Sequence, residues 1–114
     1  MDIYTDQEIC PGIACIARNP LTLTFFAFDP EFPTKKAKPK DVHSIGIMMV
    51  IVAADAPEPA PEDYVNQTAE NKTIFEKFFT TSDIGMKVYI KAYYLNARNK
   101  AGPLGDAIFV IIVK

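Results

Sequence analysis

Residues 86–95 read MKVYIKAYYL, and their pattern decides the architecture. Val88, Ile90, Ala92 and Tyr94 fall on one side of an extended chain, and Lys87, Tyr89, Lys91 and Tyr93 on the other. A two-residue period of this kind belongs to a β-strand with one face on a core. The other face is expected to be solvated, carrying lysine and tyrosine. Asp83-Ile84-Gly85 before it reads as a turn. Residues 96–106 (NARNKAGPLGD) after it, with two glycines and a proline, read as a loop. Residues 107–113 then form a closing strand.

Working outward, residues 21–28 (LTLTFFAF) are aromatic and β-branched and stop at Asp29-Pro30, which predicts a strand ending in a turn. A polar segment with prolines at 30, 33 and 39 follows. Residues 42–53 (VHSIGIMMVIVA) are apolar on both faces: Ile45, Ile47, Met49 and Ile51 on one, Met48, Val50 and Val52 on the other. Such a strand is central and covered twice, or sets one face against a partner. Residues 54–64 (ADAPEPAPEDY) place three prolines at alternate positions, which excludes a strand interior and predicts a stiff polyproline-like connector. Residues 74–79 predict a strand with Phe75 and Phe78 or Phe79 inward; a helix over 70–79 is the competing reading. Several strands separated by turn signals, with no convincing helix, predict an all-β sandwich of about seven strands. Residues 1–20 are expected as an N-terminal arm or first strand and 21–114 as the sandwich, in one domain.

Composition agrees and excludes much else. A chain of 114 residues with 49% hydrophobic and 23% charged residues is ordinary globular material. A domain of this size buries roughly 60–70% of its unfolded surface, enough for its own core. Twelve basic against 14 acidic residues leave a net charge of −2, and no global case for nucleic acid or an acidic membrane. The N-terminus opens with Asp2, Asp6 and Glu8 where a secretory signal needs basic residues, so synthesis in the cytoplasm without secretion is expected. Cys10 and Cys15 lack the second pair that a zinc site requires, and are expected to be free thiols, with a local disulfide as the alternative.

The run 88–96 followed by Gly102-Pro103 resembles the last two strands and intervening loop of a fibronectin type III module. That resemblance implies an immunoglobulin/fibronectin III-like sandwich. It departs from the pattern at Val88, where many such modules carry an inward corner tyrosine. Across residues 21–114 the order is an aromatic strand, a lysine-proline segment (35–40, KKAKPK), Val42-His43, an apolar strand, a proline-rich connector, Lys87-Val88-Tyr89 and then 96–103. This order is similar to the C-terminal sandwich of a largely uncharacterised family of gut bacteria and their phages. Those relatives often carry Trp where Tyr94 and Leu104 stand.

Chemistry is sparse. His43 is the single histidine, with no nucleophile motif, metal-ligand spacing or glycine-rich phosphate cradle to accompany it. No enzyme activity and no cofactor or metal are expected. Charge placement says more. In a sandwich of this topology one end gathers Lys35, Lys36, Lys38, Lys40, Arg98 and Lys100, and the opposite end Asp55, Glu58, Glu62, Asp63 and Asp83. The basic loop end is the candidate partner-binding site, where charge steers encounter and register more than it supplies affinity. The reading is a non-enzymatic protein–protein interaction module. The phage resemblance extends it to a virion structural protein, an auxiliary or decoration protein on the capsid exterior with the major capsid protein as partner. Residues 1–20, or the edge of the 42–53 sheet, could bridge subunits by strand addition. The alternative is a bacterial ligand- or carbohydrate-binding fibronectin III-like module using the aromatic face. Neither membrane nor small molecule is expected as partner. Nucleic acid, with phosphates on the basic end and Tyr89 and Tyr93 stacking, is the weaker reading.

Overall fold

The computed structural model describes residues 9–113. Seven strands follow one another: β1 (Gly12–Asn19), β2 (Thr22–Phe28), β3 (Ser44–Val52), β4 (Val65–Asn66), β5 (Ile74–Phe78), β6 (Lys87–Leu95) and β7 (Ile108–Ile111). Two single-turn 3-10 segments, Pro61–Asp63 and Thr81–Asp83, interrupt the connections. The strands form two antiparallel sheets, one ordered β1-β2-β5 and the other β4-β3-β6-β7.

The alternation in 86–95 is realised in β6. Val88, Ile90 and Ala92 are fully buried and Tyr94 nearly so. They face Leu23, Phe25 and Ala27 of β2 across the core, with Ile45 and Ile47 of β3 beside them. Phe25 also packs on its register partner Phe75 of β5, their ring centroids 5.9 Å apart. Burying large aliphatic and aromatic side chains at roughly 1.5–3 kcal/mol each is the main force joining the two sheets.

Residues 74–79 are extended, not helical. Phe75 and Phe79 point into the core while Phe78 is 73% exposed, so of the two candidates Phe79 is the inward one. Gly12–Asn19 pairs along β2 as the first strand of its own sheet. That commits residues 12–19 of the segment expected to be able to bridge subunits to pairing within the chain's own sheet. The part of the expected arm at residues 1–8 lies outside the described residues. In β1 the register shifts between Cys15 and Ala17, leaving Ile16 as an extra residue, half-exposed on the bulge.

The expected solvated face of β6 needs a correction. Tyr89 is buried, because its register partner Phe109 packs on it with ring centroids 5.4 Å apart. The Lys87 ammonium lies 5.3 Å from the Tyr89 ring and 5.2 Å from the Phe109 ring, and donates to the Ala56 carbonyl. The proline-rich connector explains the rest. It does not stay at the tip of the sandwich but folds back along β3, so that Tyr64 is buried with the Lys91 ammonium 4.0 Å from its ring centroid. The outer face of the four-stranded sheet is thereby partly roofed, which accounts for a β3 that is apolar on both sides.

Candidate functional site at the lysine-bearing loop end

Register places the loops. Ser44 at the start of β3 pairs with Leu95 at the end of β6, and Phe28 at the end of β2 pairs with Gly12. The 29–43 and 96–107 loops therefore leave the same end of the sandwich. That end holds Lys35, Lys36, Lys38, Lys40, Arg98 and Lys100. It also holds Asp29, Glu31, Asp41 and Asp106, which temper its charge.

The 29–43 loop is long but shaped by its own bonds. Asp29 caps a turn by accepting from the Glu31 amide at 3.0 Å. The Phe32 amide donates to the Asp29 carbonyl, the Lys35 amide to that of Phe32 and the Val42 amide to that of Pro39. Asp41 takes a left-handed conformation at φ 68°, tolerable for a short polar side chain. His43 joins the sheet, its amide donating to the Leu95 carbonyl; its side chain is exposed. Thr73, buried just before β5, donates its hydroxyl to the Lys36 carbonyl and ties the loop to the start of that strand.

These bonds sort the lysines into two groups. Lys35 and Lys40 line a pocket of about 260 Å³ together with Asp29, Glu31, Phe32 and Ile9, so two carboxylates share that pocket with them. Lys36 and Lys38 line a different cleft of about 350 Å³ with Asn71, Lys72, Thr73 and Ile74. The Lys36 ammonium stands 5.3 Å from the Phe26 ring, and Lys38 donates to the His43 carbonyl at 2.7 Å. Lys72 was missed by sequence reasoning. It is more than thirty positions from Lys36, and only the Thr73–Lys36 bond, which joins the loop to the start of β5, could have indicated the meeting.

The 96–107 loop is separately built. The Asn96 side-chain oxygen accepts from the amides of Arg98 and Lys100, at 2.9 and 3.0 Å, and Asn99 adopts φ 61°. Arg98 and Lys100 are exposed on it. Tyr94 lies beneath this end, buried, with its hydroxyl unpaired among the described residues. Burial first, and the negative charge of Asp29 second, push its ionisation well above the ordinary phenol value.

Of the residues expected at the opposite end, Asp83 caps the Thr81–Asp83 turn by accepting from the Thr80 amide at 3.0 Å. Asp63 accepts from the Ala60 amide at 3.2 Å. Asp63 and Tyr64 lead directly into β4, where Val65 pairs with Met49 of β3, so this part of the connector lies beside the sheet. Asp63 at least is therefore set beside the sheet, while Asp83 stays at the turn that precedes β6. The outward tyrosines are packing groups: Tyr89 sits under Phe109, and Tyr93 covers Gly46 and donates to the Asn66 side-chain oxygen at 2.8 Å. Cys10 and Cys15 are free thiols, both half-buried.

Two sheets of three and four strands in this order define a fibronectin type III-like β-sandwich. Among solved structures the chain is similar to the fibronectin type III domain of human fibronectin type III domain containing protein 3. That match has 8% identity and a TM-score of 0.62, over 91% of this chain and 84% of that one. It is likewise similar to the twitchin kinase region from C. elegans, at 9% identity and a TM-score of 0.62, covering 94% of this chain and 17% of the twitchin chain. At such identities the likeness is one of fold. No family model and no curated protein matches the sequence.

Proposed function

We propose that this sandwich is a non-enzymatic protein-interaction module that docks through its lysine-bearing loop end. The observation that carries the reading is the ordered 29–43 loop. Its turns, its Thr73 tie and the Lys38–His43 strut give the lysine-bearing segment a fixed shape. Binding through a pre-shaped loop avoids much of the ordering cost that a floppy loop incurs on association. Lysine charge on such a loop steers an acidic partner and sets its register. The fibronectin type III-like fold is in keeping with this role, as a fold-level analogy.

The finer reading is a phage virion component, an auxiliary or decoration protein on the capsid exterior with the major capsid protein as its partner. Its support is the order of segments across residues 21–114 that resembles the phage-associated family. Cross-linking mass spectrometry on washed particles from the source tests both levels. A fixed copy ratio to the major capsid subunit, with cross-links from Lys35 to Lys40, is the expected result. Absence from washed particles overturns the virion reading. Cross-links to partners that consistently avoid the loop end overturn the docking mode.

A further inference from the structure

The six basic residues of the loop end are not equivalent. Lys35 and Lys40 share their pocket with Asp29 and Glu31. The cleft of Lys36, Lys38 and Lys72 is lined by no acidic residue among the described residues. Glu70, the acidic residue nearest in sequence to Lys72, is held by Lys77 at 2.8 Å. Two of the three ammonium groups are anchored, one over Phe26 and the other on the His43 carbonyl. Three lysines lining one concavity bring like charges to its rim, and an anion that enters it is favoured by all three.

We infer that this Lys36–Lys38–Lys72 cleft is the docking point proper, and that it receives the carboxylates of a short acidic segment of a protein partner. The inference rests on the protein-interaction reading above and narrows it to one cleft. A polynucleotide fits less well. It tracks a continuous basic groove and stacks on open aromatic rings. Here Asp29, Glu31, Asp41 and Asp106 break the positive field around the loop end, while Tyr89 and Tyr93 are already covered or engaged. Asn71 and the edge of Ile74 complete the cleft with an amide and an apolar wall, which suit a peptide side chain and backbone.

The test is a fluorescence titration of the full chain with a labelled hexaglutamate peptide, alongside a labelled dodecathymidylate. Three variants are compared: K36E/K38E/K72E, K35E/K40E and K72E alone, each checked by thermal unfolding. K72E is the safeguard, since Lys72 is exposed and its replacement leaves the Phe26 and His43 contacts intact. Peptide affinity is expected to fall about tenfold or more in the triple variant and about threefold in K72E, while K35E/K40E stays within about twofold. Equal losses in the triple and double variants overturn the inference in favour of a diffuse field. Tighter binding of the oligonucleotide than of the peptide overturns it in favour of nucleic acid. No peptide binding by the unaltered chain at low salt also overturns it, while cross-links from the loop end to a partner would leave the interaction-module reading standing.

Discussion

Tyr93 of β6 covers Gly46 of β3, its register partner: a Cβ built on Gly46 would stand 2.1 Å from the Tyr93 Cζ. Glycine weakens a strand by leaving backbone uncovered and adding chain entropy. The ring supplies the missing cover and is fixed in turn by its bond to Asn66. Phe28 covers its own partner Gly12 in the other sheet in the same way.

A sign reversal follows for Gly46→Ala. With Tyr93 present the new methyl displaces the ring and breaks the Asn66 bond, and a loss of about 1–2 kcal/mol is expected. In a Tyr93→Ala background the same change stabilises by about 0.5–1 kcal/mol, the ordinary advantage of alanine over glycine. Urea unfolding of the four-member cycle reads the coupling directly. Additive effects would show that the ring does not depend on the glycine.

Adjacent phenylalanines should behave oppositely. Phe79 is in the core and Phe78 is 73% exposed. Phe79→Ala is expected to cost about 3–5 kcal/mol, and Phe78→Ala to change stability by less than about 0.5 kcal/mol. Denaturant midpoints of the two variants check this.

Tyr94 carries a hydroxyl that is buried and unpaired among the described residues. Tyr94→Phe removes that burden, and is expected to be neutral or stabilising by up to about 1 kcal/mol. A pH signature accompanies it. Because folding raises the Tyr94 ionisation above the ordinary 10.0, its contribution is fully present below pH 10 and is lost as pH climbs through the raised value. The variant should therefore resist alkaline unfolding better than the parent chain, measured by circular dichroism from pH 9 to 12.

Thr73→Val severs the tie to the Lys36 carbonyl at little cost in volume. Stability is expected to fall by about 0.5–1.5 kcal/mol. Hydrogen exchange at the Lys35 and Val42 amides should speed up, and peptide binding in the cleft should weaken with it. Unchanged exchange there would show that the loop holds its shape without Thr73.

The fold was legible because its strands differ in pattern from their connections. Residues 86–95 alternate, 54–64 carry prolines where a ladder needs donors, and 96–106 gather turn residues. What escaped was whatever depends on one strand lying against another. Tyr89 reads as solvated until Phe109 and Lys87 are placed over it. Ile16 reads as one more strand residue, and only pairing with β2 exposes the bulge. The basic end was found from the chain's topology, but its internal division was not. Nothing near Lys35 and Lys40 in sequence says that Asp29 and Glu31 share their pocket while Lys36 and Lys38 line a separate cleft with Lys72.

The strands at the margins of the two sheets carry a different lesson. β1 is bulged, β4 has two residues, β7 has four, and β5 bears Glu76 and Lys77 along its length. Each device spoils a margin as a template for another chain's backbone. Crowded together at high local density, copies of this protein would stay discrete instead of knitting into a continuous ribbon. Margins of this kind leave recognition to side chains and loops, with no backbone ladder for another chain to extend.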